Sequence, residues 1–192
     1  MKVTVLICTW NRAGYLDKCL GAMRMLEIPP ALQWELLVVN NNSTDNTDQI
    51  IAHHAEWLPI RRLFEPKAGK SHAANLEIQH ATGELIICTD DDVLVAPGWL
   101  SAYLVAAQQW PDASFFGGTI DPWFEVEPPR WIKKYLVVRG PYSVLQHGAD
   151  VRPFLIGEVG PYGANIVFRS PALKNFRFDS THGLPGARRR MV

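Results

Sequence analysis

The chain has 192 residues, 47% of them hydrophobic and 20% charged, with 19 basic and 19 acidic side chains and no net charge. That is enough for one well-buried core, and the balance argues against a protein whose main task is gripping nucleic acid or an anionic membrane. No apolar run approaches the roughly 18 residues of a membrane-spanning helix, Met1-Lys2 leads into a strand without a signal-peptide pattern, and Cys8, Cys19 and Cys88 form no CxxC pair, which fits reduced, packed thiols in the cytoplasm.

Val3 to Cys8 is a β-branched, apolar first strand that ends in the polar, Gly-closed turn Thr9-Trp10-Asn11-Arg12-Ala13-Gly14. A helix follows, with Leu16, Cys19, Leu20, Met23 and Leu26 at helical spacing, stopped by Pro29-Pro30. Trp34 to Val39 is a second strand; its loop Asn40-Asn41-Asn42-Ser43-Thr44-Asp45 is made of residues whose side chains bond nearby backbone. A helix from about Asn46 to Trp57 has Asn46 and Gln49 in capping-box spacing. Arg61 to Phe64 is a shorter strand, and the loop through Lys67 and Gly69 leads to a helix capped by Ser71 and ended by Thr82-Gly83. After a fourth strand, Pro97 opens a helix through Trp110. Four short-linked strand-loop-helix units predict a doubly wound α/β sheet. Residues 121–163 are rich in Pro, Gly and Trp, with one amphipathic piece near Trp131 to Val138, and read as an irregular region over the sheet. Regularity returns at Gly163-Ala164-Asn165-Ile166-Val167-Phe168-Arg169, before a short helix from Ser170-Pro171.

The fourth strand organises the rest. Leu85-Ile86-Ile87-Cys88 is a continuous apolar run, as expected of a strand buried on both faces. Asp90-Asp91-Asp92 follow at its end, and three adjacent acids there are costly unless a cation neutralises them. Ligands of open α/β sheets sit outside the carboxyl ends of strands. Three loops therefore converge: Thr9 to Arg12 and Asn40 to Asp45, suited to a base and ribose, and Asp90 to Asp92, suited to magnesium or manganese. A cation there would stabilise a departing diphosphate, and Lys70 at a helix start would add a phosphate contact. The histidines have no metal-ligand spacing and read mostly as surface or packing residues. Trp99, Trp110, Trp123 and Trp131 read mainly as core or cover, with sugar stacking open for the last two.

These segments together resemble family 2 glycosyltransferases of the GT-A fold. Val5 to Arg12 resembles that family's first strand and nucleotide loop. Glu35 to Asp45 resembles its "VVDNGSTD"-like segment, Gly69 to Asn75 its "GKSxALN" helix start, and Gly83 to Asp92 its "GExIxxxDDD" strand. Gly163 to Arg169 resembles its "GANxAFR" segment. The resemblance implies a GT-A, Rossmann-like, mostly parallel sheet flanked by helices. It implies nucleotide-sugar binding by residues 1–120 and an acceptor-side region in 121–192, incomplete at its C-terminus. The activity implied is inverting, metal-dependent transfer from a nucleotide-diphosphate sugar to a glycan or glycolipid hydroxyl, in the cytoplasm or at the inner membrane face, with no nucleic acid involved. Donor-binding residues would be Thr9, Asn11, Arg12, Asn40, Asn41, Lys70, Asp90 and Asp91, with Asp92 the main ligand of Mn2+ or Mg2+ and Asp90 in its shell. Asn40 departs from the usual Asp, and Ala74 stands where many relatives carry Arg.

Inverting transfer needs a carboxylate base. In the family it lies beyond the "GAN" segment, where this chain has only Asp179, in a Phe178-Asp179 pair resembling the "GFD" turn ahead of the base. The base is therefore expected beyond Val192, in a truncated chain or else an inactive relative. Arg188-Arg189-Arg190 reads as a solvated run or a lipid-phosphate contact. A non-catalytic binding module remains an alternative. A sugar-phosphate nucleotidyltransferase is a further one, although Thr9 to Arg12 lacks its Gly-rich run.

Overall fold

A computed structural model describes residues 1–135, 144–146, 148, 150–155 and 157–180. Four strand-helix units come first: β1 (Lys2–Thr9), α1 (Ala13–Met23), β2 (Gln33–Asn40), α2 (Thr47–His54), β3 (Ile60–Phe64), α3 (Lys70–His80), β4 (Leu85–Asp90) and α4 (Trp99–Gln109). Then come β5 (Phe115–Gly117), α5 (Arg130–Tyr135), a 3-10 turn at Gly163–Asn165, β6 (Ile166–Arg169) and α6 (Ser170–Leu173). The sheet order is β3-β2-β1-β4-β6-β5. The first four strands run parallel, and β6 lies antiparallel to both β4 and β5.

Alternation along the central strands builds both layers. Val3, Val5, Ile7, Leu36, Val38, Leu85 and Ile87 face one side, where Leu16, Leu20 and Met23 of α1, Ile51 of α2 and Leu100 of α4 cover them. Leu6, Leu37 and Ile86 face the other side, against Ile78 of α3 and Leu173 of α6. Burial on both faces is why these strands read as unbroken apolar runs. Because the chain winds from β1 out to β3 and then returns to place β4 on the other side of β1, the winding reverses between β1 and β4. A crevice opens at the carboxyl ends there, with Cys8 paired opposite Asp90.

Several boundaries differ from expectation for identifiable reasons. α2 ends at His54 and continues to Leu58 only as hydrogen-bonded turns. Asn46 makes no side-chain cap; Asp45 does this instead, its carboxylate accepting from the N–H and hydroxyl of Thr47 and from the N–H of Ala13. α3 starts at Lys70 behind Gly69, so Ser71 lies inside the helix, and its C-terminal residue is His80. α4 starts at Trp99 behind Gly98, leaving Pro97 outside. Trp99 and Trp110 pack against the core, whereas Trp123 and Trp131 are more than half exposed and are not core. His54 is buried with Asp17 at 2.8 Å. Residues 136–143, His147, Ala149, Ile156 and 181–192 lie outside the described residues, and with them the end of the Trp131 to Val138 piece, His182 and the Arg188 to Arg190 run.

Candidate functional site

At the β1/β4 crevice lies a cavity of about 290 Å³, walled by Thr9, Trp10, Arg12, Asn41, Lys70 and the three acids. The acids are not splayed into water. Asp90 pairs with Lys70 Nζ at 2.5 Å. Asp91, only 4% exposed, accepts from Thr9 Oγ1 at 2.7 Å and from Arg12 Nη1 at 2.9 Å. Asp92 accepts from Arg12 Nη2 at 2.7 Å. Burial pushes the Asp91 carboxyl above the usual carboxylate range, against the lowering pull of Thr9 and Arg12. The charge of the acids is thus offset by two protein cations. The expectation that these crowded acids demand a metal ion does not hold, since Arg12 and Lys70 already pair with them.

The three asparagines hold loops. Asn40 is buried, donates to Asp48 and accepts from the Ser43 N–H, and does not line the cavity. Asn41 does line it, yet its Nδ2 donates to the carbonyls of Glu65 and Lys67, and its Oδ1 accepts from the Gly69 N–H at 2.9 Å. Gly69 has a φ of +133°, a conformation that favours glycine, so this bond fixes the turn that delivers Lys70. Asn11, also at positive φ, accepts from the Thr44 N–H at 2.7 Å and lines the neighbouring concavity. The asparagine side chains therefore join the β1, β2 and β3 loops, while Arg12, Lys70, Asp90 and Asp92 present charge to the cavity.

Sequence reasoning passed over three residues. Trp10 is 55% exposed at the cavity wall; a large aromatic in a polar strand-to-helix loop was the available signal. Asp45 belongs to the loop that the sequence suits to a base and ribose, and its carboxylate is turned instead onto the starts of α1 and α2. Glu77, spaced seven residues from Lys70 on α3, is a buried acid with no sequence signal beyond that spacing. As to a metal, the partly exposed oxygens of Asp90 and Asp92 are the donor type that magnesium and manganese take. The residues fit such an ion, although the described residues contain no converging group of three His, Cys, Asp or Glu ligands. No described helix is long and apolar enough to cross a membrane.

Known proteins resemble the chain in family pattern, in sequence and in fold. A family model, Glycosyl transferase family 2, matches residues 4–177. The glucosyl-dolichyl phosphate glucuronosyltransferase of Haloferax volcanii is 23% identical over 97% of this chain and 58% of its own length. The dolichyl-phosphate beta-glucosyltransferase ALG5C of Trichomonas vaginalis is 43% identical over 33% of this chain and 19% of its own. Among solved structures, the mannosyltransferase PcManGT of Pyrobaculum calidifontis, in complex with GDP-Man and Mn2+, superposes with a TM-score of 0.63 at 25% identity, over 95% of this chain and 47% of its own. TarS 1-349 of S. aureus with UDP-GlcNAc gives 0.70 at 18% identity, over 91% and 47%. The fold is GT-A, and the chain spans about half the length of these solved relatives, and less than two thirds of the curated ones.

Proposed function

The chain belongs to Glycosyl transferase family 2, and from that premise we propose that it binds a nucleotide-diphosphate sugar in the β1/β4 cavity and transfers the sugar, with inversion, to a glycan or glycolipid hydroxyl. One observation carries the reading: Asp90, Asp91 and Asp92 share a single cavity with Arg12, Lys70 and Trp10 at the reversal of the sheet's winding. Thr9 orients Asp91 from behind. Asn41 and Gly69 set the position of Lys70, which contacts the diphosphate. Trp10 supplies a flat face for the base, and Asn11 and Asn40 act through the loop they hold. Asp92, with Asp90, holds Mn2+ or Mg2+, and the ion, when bound, supplies Lewis-acid stabilisation of the diphosphate leaving group. Residues 1–120 form the donor half and 121–192 the acceptor side. The lipid-linked substrates named for the H. volcanii and T. vaginalis relatives support a glycolipid acceptor, met at the inner face of a membrane.

Calorimetry with UDP and GDP, with and without manganese, tests this. Manganese-dependent binding of one nucleotide is expected, and Asp92→Ala should weaken it about tenfold or more with an unchanged circular dichroism spectrum. Unaltered affinity in that variant removes Asp92 from the site, and no metal-dependent binding of either nucleotide overturns the donor reading. Nucleotide binding without sugar transfer supports the alternative, a binding module that holds a donor.

A further inference from the structure

Arg12 pairs with two of the acids while also lining the cavity. One guanidinium fork spans two consecutive carboxylates, Nη1 to Asp91 at 2.9 Å and Nη2 to Asp92 at 2.7 Å. Asp91 is fixed by Thr9 as well, so the buried half of this pair has a second anchor, whereas Asp92, 42% exposed, is held only by Arg12 among the described residues. Arg12 itself is 41% exposed, and its guanidinium lies 4.8 Å from the centre of the Tyr15 ring. It lines both the donor cavity and the adjoining concavity formed by Asn11, Tyr15, Lys18 and Glu125. The side chain is therefore tethered by charge at one end, with open space on two sides.

A divalent ion bound to Asp92 would share that carboxylate with the Arg12 guanidinium already held to it, and neighbouring positive charges repel. The ion and Arg12 compete for one group. A planar fork that fits two carboxylates also fits two phosphate oxygens. Resting on the donor reading above, we propose that Arg12 is a resident counter-ion. It neutralises Asp91 and Asp92 while the donor is absent, yields Asp92 to the incoming metal, and turns its fork onto the donor diphosphate. Metal and nucleotide then bind cooperatively, since each relieves a charge conflict that the other creates.

The test uses Mn2+ alone, followed by the electron paramagnetic resonance signal of the free ion, and then UDP or GDP titrated with Mn2+ present. Arg12→Gln is expected to bind Mn2+ alone about tenfold more tightly, and nucleotide with Mn2+ about tenfold more weakly, than wild type. Arg12→Lys keeps the charge without the fork, so its Mn2+ affinity should stay near wild type while nucleotide affinity falls. A purely structural Arg12 would instead weaken both in Arg12→Gln, and that result overturns the proposal. If wild type binds UDP or GDP with Mn2+ and Arg12→Gln gains no Mn2+ affinity, the counter-ion role is wrong and the donor reading stands. If neither nucleotide binds wild type while Arg12→Gln still gains Mn2+ affinity, the counter-ion role holds and the donor reading fails.

Discussion

Glu77 is 5% exposed, and its Oε1 accepts no hydrogen bond among the described residues. Burial drives its carboxyl well above the usual range, the neighbouring Asp90 adding to the shift and Lys70 opposing it. The folded protein thus keeps a proton that the unfolded chain loses at about pH 4.3. As pH rises through that value, unfolding releases the proton and stability falls until the folded group itself ionises. Glu77→Gln imitates the protonated acid and removes this loss. Thermal melts should show the variant equal to wild type at about pH 4 and more stable at about pH 8; a difference that does not grow with pH contradicts a neutral Glu77. Such a group is hard to see in a sequence, where glutamate on a helix reads as solvent-facing. Asp90, Asp91 and Asp92 at the end of β4 were legible because three acids in a row stand out against the buried apolar run before them. What neutralises them was not legible, because Arg12 precedes α1 and Lys70 opens α3, both distant from the acids in the chain.

Asp45 is the hinge point between two helices. One oxygen accepts from the Ala13 N–H at the start of α1, at 3.0 Å, and the other from the Thr47 N–H at the start of α2, at 3.1 Å. Its burial, which alone would raise the carboxyl, is outweighed by the Thr47 hydroxyl and these N–H groups, so it titrates below its ordinary value. Asp45→Ala removes both caps and is expected to cost about 1–2 kcal/mol, read as a lower midpoint in urea with an unchanged slope. An unaltered midpoint would show that the caps contribute nothing net. At this scale the four strand-helix units were readable from apolar runs between turn residues. The cap of α2 was misplaced by one position because Asp45 and Asn46 stand side by side, and only the path of the backbone selects which one reaches a free N–H; at α3 the expected Ser71 lies inside the helix because the chain enters it at Gly69.

At the scale of the described fold, a parallel four-stranded sheet is completed by β6, which runs antiparallel to β4, and by β5, which pairs antiparallel with β6 and so runs with the first four strands. Asn165 joins that edge to the helical layer: its Oδ1 accepts from Trp99 Nε1 at 2.9 Å and from the Tyr103 hydroxyl at 2.6 Å, and its Nδ2 donates to the Thr119 carbonyl. Gly118 passes so close that a Cβ there would lie 2.5 Å from Asn165 Nδ2. Asn165→Ala leaves the Trp99 and Tyr103 donors without this acceptor, a loss of about 1–3 kcal/mol, or roughly 2–4 °C of melting temperature per kcal/mol in a chain this long. A melting temperature equal to wild type would show that both donors find other acceptors. The sequence marked Gly163 to Arg169 as a distinct regular segment through its resemblance, without revealing its direction, since four residues of strand carry no sign of which way they run. The tie between Phe178 and Asn75 was equally hidden, with the Phe178 N–H and carbonyl both bonded to the Asn75 amide across the fold.

The order of assembly carries a consequence for synthesis. β4 receives its second partner only when Arg169 can pair with Leu85, long after β1, β2 and β3 have left the ribosome. Until then one flank of the most apolar strand presents open backbone donors and acceptors, a template for any nascent neighbour. Chaperone dependence during translation should therefore peak between emergence of β4 and delivery of β6.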